Sequence, residues 1–225
     1  MVLLALDTAS PICAVALMDA DGALLSKEVE TRQSGHAERL LPMVQSVLQK
    51  GGRKKNAITK IVVSVGPGSF TGVRTAIAAA RGLALALSVP AVGVTTLEAM
   101  ALDGRRVSGE GTGPILAAID AGRGEVYAAA YDADGECILG PEKMPYGHDL
   151  AGATVYPVDD LFGVGNGISH LGLTVGAMPD ARTGAIETFA SIGLLRQPGA
   201  PPEPLYLRAA DAKPPSSKAR IARQA

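Results

Sequence analysis

The sequence predicts an α/β fold built from two duplicated lobes, and three observations carry that prediction. Residues 4–25 superpose on residues 117–138 at a constant offset of 113 without a gap, and seven of the 22 positions are identical. The identities are Ala5/Ala118, Asp7/Asp120, Ala16/Ala129 and the run from Asp19 to Gly22 against Asp132 to Gly135. Two copies of one segment mark a duplicated domain and not a solenoid. Short apolar runs then alternate with helical periodicities, the pattern of partly parallel sheets. Finally, 47% of the 225 residues are hydrophobic and 19% charged, a globular composition. A chain of this length buries about 70% of its unfolded surface, so its core needs neither disulfide nor metal.

Each copy reads as strand, tight turn, strand, hairpin, strand. Residues 3–6 and 115–119 are buried-type strands that end at Asp7 and Asp120. Their turns are residues 8–11 and 121–124. Asp21-Gly22 and Asp134-Gly135 predict two-residue hairpin loops. Leu40, Leu41, Met43, Val44, Val47 and Leu48 recur at helical spacing, with Pro42 expected to kink the first turns. Residues 61–65 form a β-branched strand. A helix capped by Ser69 or Thr71 runs to about Leu87, with an apolar face of Val73, Ala76, Ile77, Ala80, Leu83, Ala84 and Leu87. Residues 90–94 form a strand, and Thr95 to about Leu102 a third helix. The polar, Gly-rich stretch 103–113 reads as a linker. The second half repeats the hairpin, passes residues 163–172 and a further strand, and ends in a helix near 186–195. From Pro198 the chain is proline-rich and extended. The expected organisation is a first lobe 1–102, a linker 103–113, a smaller lobe 114–197 and a basic tail 198–225.

Charge and cysteine content narrow the function classes. Twenty-one Lys and Arg face 22 Asp and Glu, so the net charge of −1 gives no overall attraction to nucleic acid. The tail cations Arg208, Lys213, Lys218, Arg220 and Arg223 read as a solvated end, with contact to a nucleic-acid backbone as the other reading. Cys13 and Cys137 form no disulfide framework and fit a reducing cytoplasm. The start lacks the basic region of a signal peptide. The longest apolar run, 76–87, is interrupted by Arg81 and is short for a membrane span.

Three features are candidate sites. The segment GPGSFTG at 66–72 lies between strand and helix, where backbone amides can hold an anion. It is no Walker A loop, since the Lys position holds Val73, and Thr71 replaces the third glycine of a dinucleotide fingerprint. A serine-capped tight turn explains it equally. Asp7 and Asp120 end matching strands and could hold a magnesium nucleotide or act as bases, or simply cap their turns. The hydroxyls of Thr8 and Ser10 follow Asp7 but Pro11 closes that turn; Gly122 and Gly124 follow Asp120 with Arg123 between them. His36, His148 and His170 share no metal-binding spacing, and no C-x-x-C occurs. The small residues of the helix after Gly72 suit close packing, either in the core or against a partner helix.

With these residues in view, the chain resembles the YeaZ (TsaB) family of bacterial tRNA threonylcarbamoyladenosine biosynthesis proteins. The resemblance is carried by LALDTASPICAVAL at the start, HAERLLPMV at 36–44, GPGSFTGVR with the downstream TTLEA, AIDAGRGEVYAAAYD at 118–132, GVGNGISHL at 163–171 and PLYLR at 204–208. It implies the actin, sugar-kinase and Hsp70 (ASKHA) fold, two duplicated lobes flanking a nucleotide cleft. That cleft, worn here, would be lined by Asp7, Ser10, Gly68, Ser69, Asp120, Arg123, Gly165 and Asn166. The catalytic relatives, the TsaD proteins, carry two metal-binding histidines four apart on a helix. Those positions fall by similarity on Thr96 and Met100, which cannot pair on a metal. The resemblance therefore implies a non-catalytic, cytoplasmic subunit with no metal or cofactor of its own, ATP and metal belonging to its partners. Those partners would be a TsaD-like catalytic chain and a TsaE-like ATPase, with homodimers forming in their absence. Transfer RNA would be met only through the complex, and no membrane. The expected contact is Leu40, Met43, Val44 and Val47 with Val73, Ile77 and Ala80, although Leu and Val there serve equally as core. Two competing readings are a small ATP-dependent kinase or ATPase of the same fold, resting on Asp7, Asp120 and 66–72, and a metalloprotease, which the missing paired histidines oppose.

Overall fold

The computed structural model describes residues 2–109 and 113–208. The tail cations Lys213, Lys218, Arg220 and Arg223 lie outside the described residues. The order is β1 (Val2–Asp7), β2 (Ile12–Asp19), β3 (Leu24–Thr31), α1 (His36–Lys50), β4 (Ile58–Ser64), α2 (Phe70–Leu87), β5 (Ala91–Val94) and α3 (Thr96–Ser108). The second half supplies β6 (Ile115–Gly122), β7 (Glu125–Tyr131), β8 (Cys137–Pro145), β9 (Phe162–Val164), β10 (Val175–Ala177) and α4 (Ile186–Leu195).

The duplication is visible in the topology. One sheet has the order β3-β2-β1-β4-β5 and the other β8-β7-β6-β9-β10. In each, the first three strands are antiparallel neighbours and the last two join in parallel. The repeated hairpins match atom for atom: Asp19 Oδ1 accepts the amides of Asp21 and Ala23 at 3.0 and 2.9 Å, and Asp132 Oδ1 those of Asp134 and Glu136 at the same distances. These loops have three residues, not the expected two. Only the glycines, Gly22 at φ 82° and Gly135 at φ 85°, are left-handed, whereas the two-residue turn demands positive φ at both central positions. The carboxylate that folds back over the loop selects the longer form.

Strand β1 is buried on both faces, as a central strand must be. Leu4 and Leu6 pack beneath α1 and α2, with Leu40, Met43, Val47, Val73 and Ala76. Leu3 and Ala5 pack on the opposite face with Ile186, Phe189 and Ala190 of α4. Each fully buried leucine contributes about 1.5–3 kcal/mol by leaving water. The second sheet packs one face on Leu97, Met100 and Ala101 of α3 and covers the other with Leu150 from a loop and Ile168 and Leu171 from a short 3-10 turn.

Two boundaries differ from expectation. Helix α3 continues six residues past Leu102 and absorbs the start of the stretch read as a linker. Asp103 is held there by the Ala185 amide at 2.6 Å and by the Thr188 hydroxyl, and a Cβ on Gly104 would stand 2.4 Å from Val164. Its polar residues are thus contacts and not spacer. The lobes also exchange helices: α3, from the first half, covers the second sheet, while α4, from the second half, covers the first. The division into 1–102 and 114–197 therefore follows the repeat but not the packing. Lys60 on β4 secures the exchange, its Nζ donating to the carbonyls of Gly193, Leu194 and Arg196 at 3.1, 3.1 and 2.9 Å. Helix α1 runs unbroken through Pro42, and β4 starts three residues before the expected strand. Among the described residues α2 alone is long and apolar enough by length and composition to cross a membrane; here one of its faces packs on the first sheet.

Candidate functional site

The first-lobe turn and the glycine-rich segment are docked onto each other. Gly68 and Gly72 permit this, since a Cβ at either would come within 2.2 Å of the Ala9 carbonyl oxygen or 1.9 Å of that of Thr8. The Ser69 amide donates to the Ala9 carbonyl at 2.6 Å, and the Thr8 hydroxyl to the Gly72 carbonyl at 2.6 Å. Ser69, rather than Thr71, caps α2 by accepting the Gly72 amide at 3.3 Å. An amide that an anion-binding loop would present is thus spent on the neighbouring turn, and the capped-turn reading holds.

Asp7 is spent as well. Its Oδ1 accepts the Ala9 amide at 2.8 Å and the Ser64 hydroxyl, and its Oδ2 accepts the Thr183 hydroxyl at 2.8 Å. Burial pushes this carboxyl above its usual range, against the pull of Ser64, Ala9 and Thr183. Asp7 lies beneath the cleft and not on its wall.

Asp120 differs. Its Oδ1 accepts the Gly122 amide and the Tyr146 hydroxyl, both at 2.7 Å, and its own amide donates to Asn166 Oδ1 at 3.0 Å. The His170 ring stacks on Tyr146 with centroids 4.0 Å apart and planes 4° from parallel, placing Nε2 4.0 Å from Asp120 Oδ2. Partial burial works against ionisation, but the bonds from Gly122 and Tyr146 and the charges of His170 and Arg182 hold this carboxyl below its usual range. Sequence reasoning missed Tyr146 and His170; no spacing ties them to Asp120. The turn after Asp120 closes through Arg123 and Gly124, at φ 61° and 78°, with Gly122 paired to Glu125. It is a tight hairpin rather than an open phosphate cradle. Gly165 presses on β6, where a Cβ would stand 2.3 Å from the Ala118 oxygen, and so sets Asn166 against Asp120.

Between the two turns lies a cleft of about 640 Å³. Ser10, Gly68, Ser69 and Asp120 line it; Asp7, Gly165 and Asn166 do not, and Arg123 is exposed on the turn outside it. Val73, Ile119, Tyr127 and Leu205 make it largely apolar. One wall is the end of the described chain, which straps the lobes together. The Leu205 amide donates to the Val65 carbonyl at 2.8 Å; Tyr206 accepts from Arg74 Nε at 2.7 Å; Arg208 donates to the Gly122 carbonyl at 3.2 Å and pairs with Glu125. Only the PLYLR segment within the proline-rich run signalled this strap.

The seven residues expected at a partner contact, Leu40, Met43, Val44, Val47, Val73, Ile77 and Ala80, are all buried in the first lobe's own core. Their helical spacing marks the face turned to the sheet, which corrects the assignment. The outward face carries Leu41 at 53% exposure, Leu85 at 84%, and Ala78 and Gly82, with open space above Gly82. Thr96 and Met100 stand one turn apart on α3 and fully buried, and the Thr96 hydroxyl has no hydrogen-bond partner. A hydroxyl and a thioether do not fit a catalytic divalent metal. Among the described residues no three His, Cys, Asp or Glu side chains converge.

Comparison with known proteins agrees with this geometry. The family model "TsaD: tRNA N6-adenosine threonylcarbamoyltransferase" matches residues 24–193. The chain is 45% identical over 134 residues to the tRNA threonylcarbamoyladenosine biosynthesis protein TsaB of Escherichia coli, an alignment covering 60% of this chain and 56% of that protein. The chain thus spans little more than half the length of that curated relative. It is 34% identical over 213 residues to an uncharacterized protein of Mycobacterium tuberculosis, covering 94% and 93% of the two chains. The solved structure of YeaZ from Pseudomonas aeruginosa superposes with a TM-score of 0.71 at 33% identity, over 85% of this chain and 90% of that one. Repeat, topology and these matches agree: the chain belongs to the TsaD family, among its YeaZ (TsaB) members.

Proposed function

We propose that this chain is a non-catalytic subunit in the biosynthesis of threonylcarbamoyladenosine on tRNA, acting in the cytoplasm by docking onto a TsaD-like catalytic chain. The observation that carries the reading is the commitment of Asp7 and of the glycine-rich segment to internal hydrogen bonds, with Thr96 and Met100 in place of metal ligands. With these turns committed inside the fold, the chain contributes through its surface, and the outward face of α1 and α2 offers an apolar stripe of small and aliphatic residues flanked by Arg74 and Arg81. The same face serves self-association when no partner is present. A TsaE-like ATPase joins the assembly, and nucleotide and metal belong to the partner chains. The free thiols Cys13 and Cys137 accord with a reducing compartment.

The test is co-purification with a TsaD-like chain. Leu85→Glu on the outward face is expected to abolish capture while leaving the fold intact. Unchanged capture would show that this face is not the contact. The competing reading, a nucleotide-consuming enzyme, draws on ionised Asp120 at the cleft wall; micromolar binding of magnesium ATP with turnover by the isolated chain would favour it.

A further inference from the structure

We propose that the connection between α1 and β4, carrying Arg53, Lys54 and Lys55, is a contact surface for the phosphodiester backbone of tRNA. The inference rests on the tRNA-modification reading above and adds a direct contact where that reading has only an indirect one.

The loop is built rigidly. Gly51 and Gly52, the latter at φ 62°, end α1; the Arg53 amide donates to the Leu48 carbonyl at 2.9 Å, and the Ala57 amide to the Lys54 carbonyl at 2.9 Å. A short 3-10 turn over Lys55–Ala57 then leads into β4. All three cationic side chains are exposed, and among the described residues none of them makes a hydrogen bond or ion pair.

Their neighbours are treated otherwise. Lys50, at the end of the same helix, pairs with Glu28 at 2.7 Å, and Arg39 with Glu28 at 2.9 Å. The adjacent arginines Arg105 and Arg106 are held by the Asp132 carbonyl at 2.7 Å and the Thr188 hydroxyl at 2.6 Å. Three adjacent cations on a fixed turn repel one another and satisfy nothing inside the fold. On a chain of net charge −1 they form a local positive knob that an extended polyanion neutralises. No apolar side chain lies between Gly52 and Asn56 to enter lipid, which favours nucleic acid over a membrane surface. The knob sits at the start of β4, at the end of the sheet away from Ser64 and the cleft, so it contributes to neither.

The test is filter binding of unfractionated tRNA by the full chain, alone and with its captured TsaD-like partner, between about 50 and 200 mM salt. Arg53→Glu/Lys54→Glu/Lys55→Glu is expected to weaken binding about tenfold or more at the low-salt end and to flatten the slope of log affinity against log salt by about two to three. An unchanged affinity and slope overturns the proposal. So does a wild-type chain without salt-dependent tRNA binding in either form, or a triple variant that loses only phosphatidylserine vesicles. Partner capture by the same variant separates the two readings: retained capture with unaltered tRNA affinity removes the contact alone, whereas a wild-type chain that captures no partner removes the subunit reading.

Discussion

Thr183 donates its hydroxyl to Asp7 at 2.8 Å across 176 residues of sequence, tying the loop before α4 to the end of the first strand. The aspartate that would face a ligand in an open cleft is instead a buried brace between the two halves. Thr183→Val leaves Oδ2 unsatisfied in the interior and is expected to cost about 1–3 kcal/mol, read from chemical denaturation.

The same brace sets a pH dependence. Burial raises the Asp7 carboxyl above its ordinary value of 3.8, so between that value and the raised one the folded state binds the proton more tightly than the unfolded state. Its contribution is therefore fully present below the unfolded value and falls as pH rises through the folded one. Asp7→Asn removes this titration. The stability difference between wild type and Asp7→Asn is expected to shift in favour of the asparagine variant as pH rises above about 4. A difference independent of pH would contradict the assignment.

Two glycines and a third separate close packing from open surface. Gly68→Ala and Gly72→Ala drive a methyl into backbone carbonyls 2.2 and 1.9 Å away and are expected to cost on the order of 2 kcal/mol or more. Gly82→Ala meets nothing within 4 Å on the outward face of α2 and is expected to stabilise by roughly 0.5–1 kcal/mol. Thermal melts of the three variants check the ordering.

Lys60 ties the end of α4 and the residue that follows it to the first sheet. Lys60→Met keeps the apolar stem and removes the donor to three carbonyls, two of them at the end of α4. It is expected to cost about 1.5–3 kcal/mol, with amide exchange rising first in α4. Protection unaltered there would contradict the role given to this side chain.

Much of this was legible in the sequence where local chemistry decides the structure. The offset of 113 residues announced the duplicated sheets, and the Asp-x-Asp-Gly runs placed both hairpins. Helical spacing found the buried stripe of α1 and α2 but not whether a sheet or a second chain covers it, because burial in either demands the same residues. Non-local features stayed hidden. Nothing in a one-dimensional pattern tells that α3 and α4 trade sheets, that Thr183 reaches Asp7, or that Tyr146 and His170 gather at Asp120. The polar run 103–108 reads as a linker because Asp103 and Arg106 find partners outside their own helix only after the chain returns 82 residues later.

Reconstituted threonylcarbamoyl transfer to tRNA, with a TsaD-like chain, a TsaE-like ATPase and variants of this chain, addresses the central claim most directly. If this chain is the non-catalytic subunit proposed above, Asp120→Asn is expected to support transfer at the wild-type rate, while Leu85→Glu is expected to support none. Transfer abolished by Asp120→Asn and untouched by Leu85→Glu would place the chemistry in this chain and contradict the account.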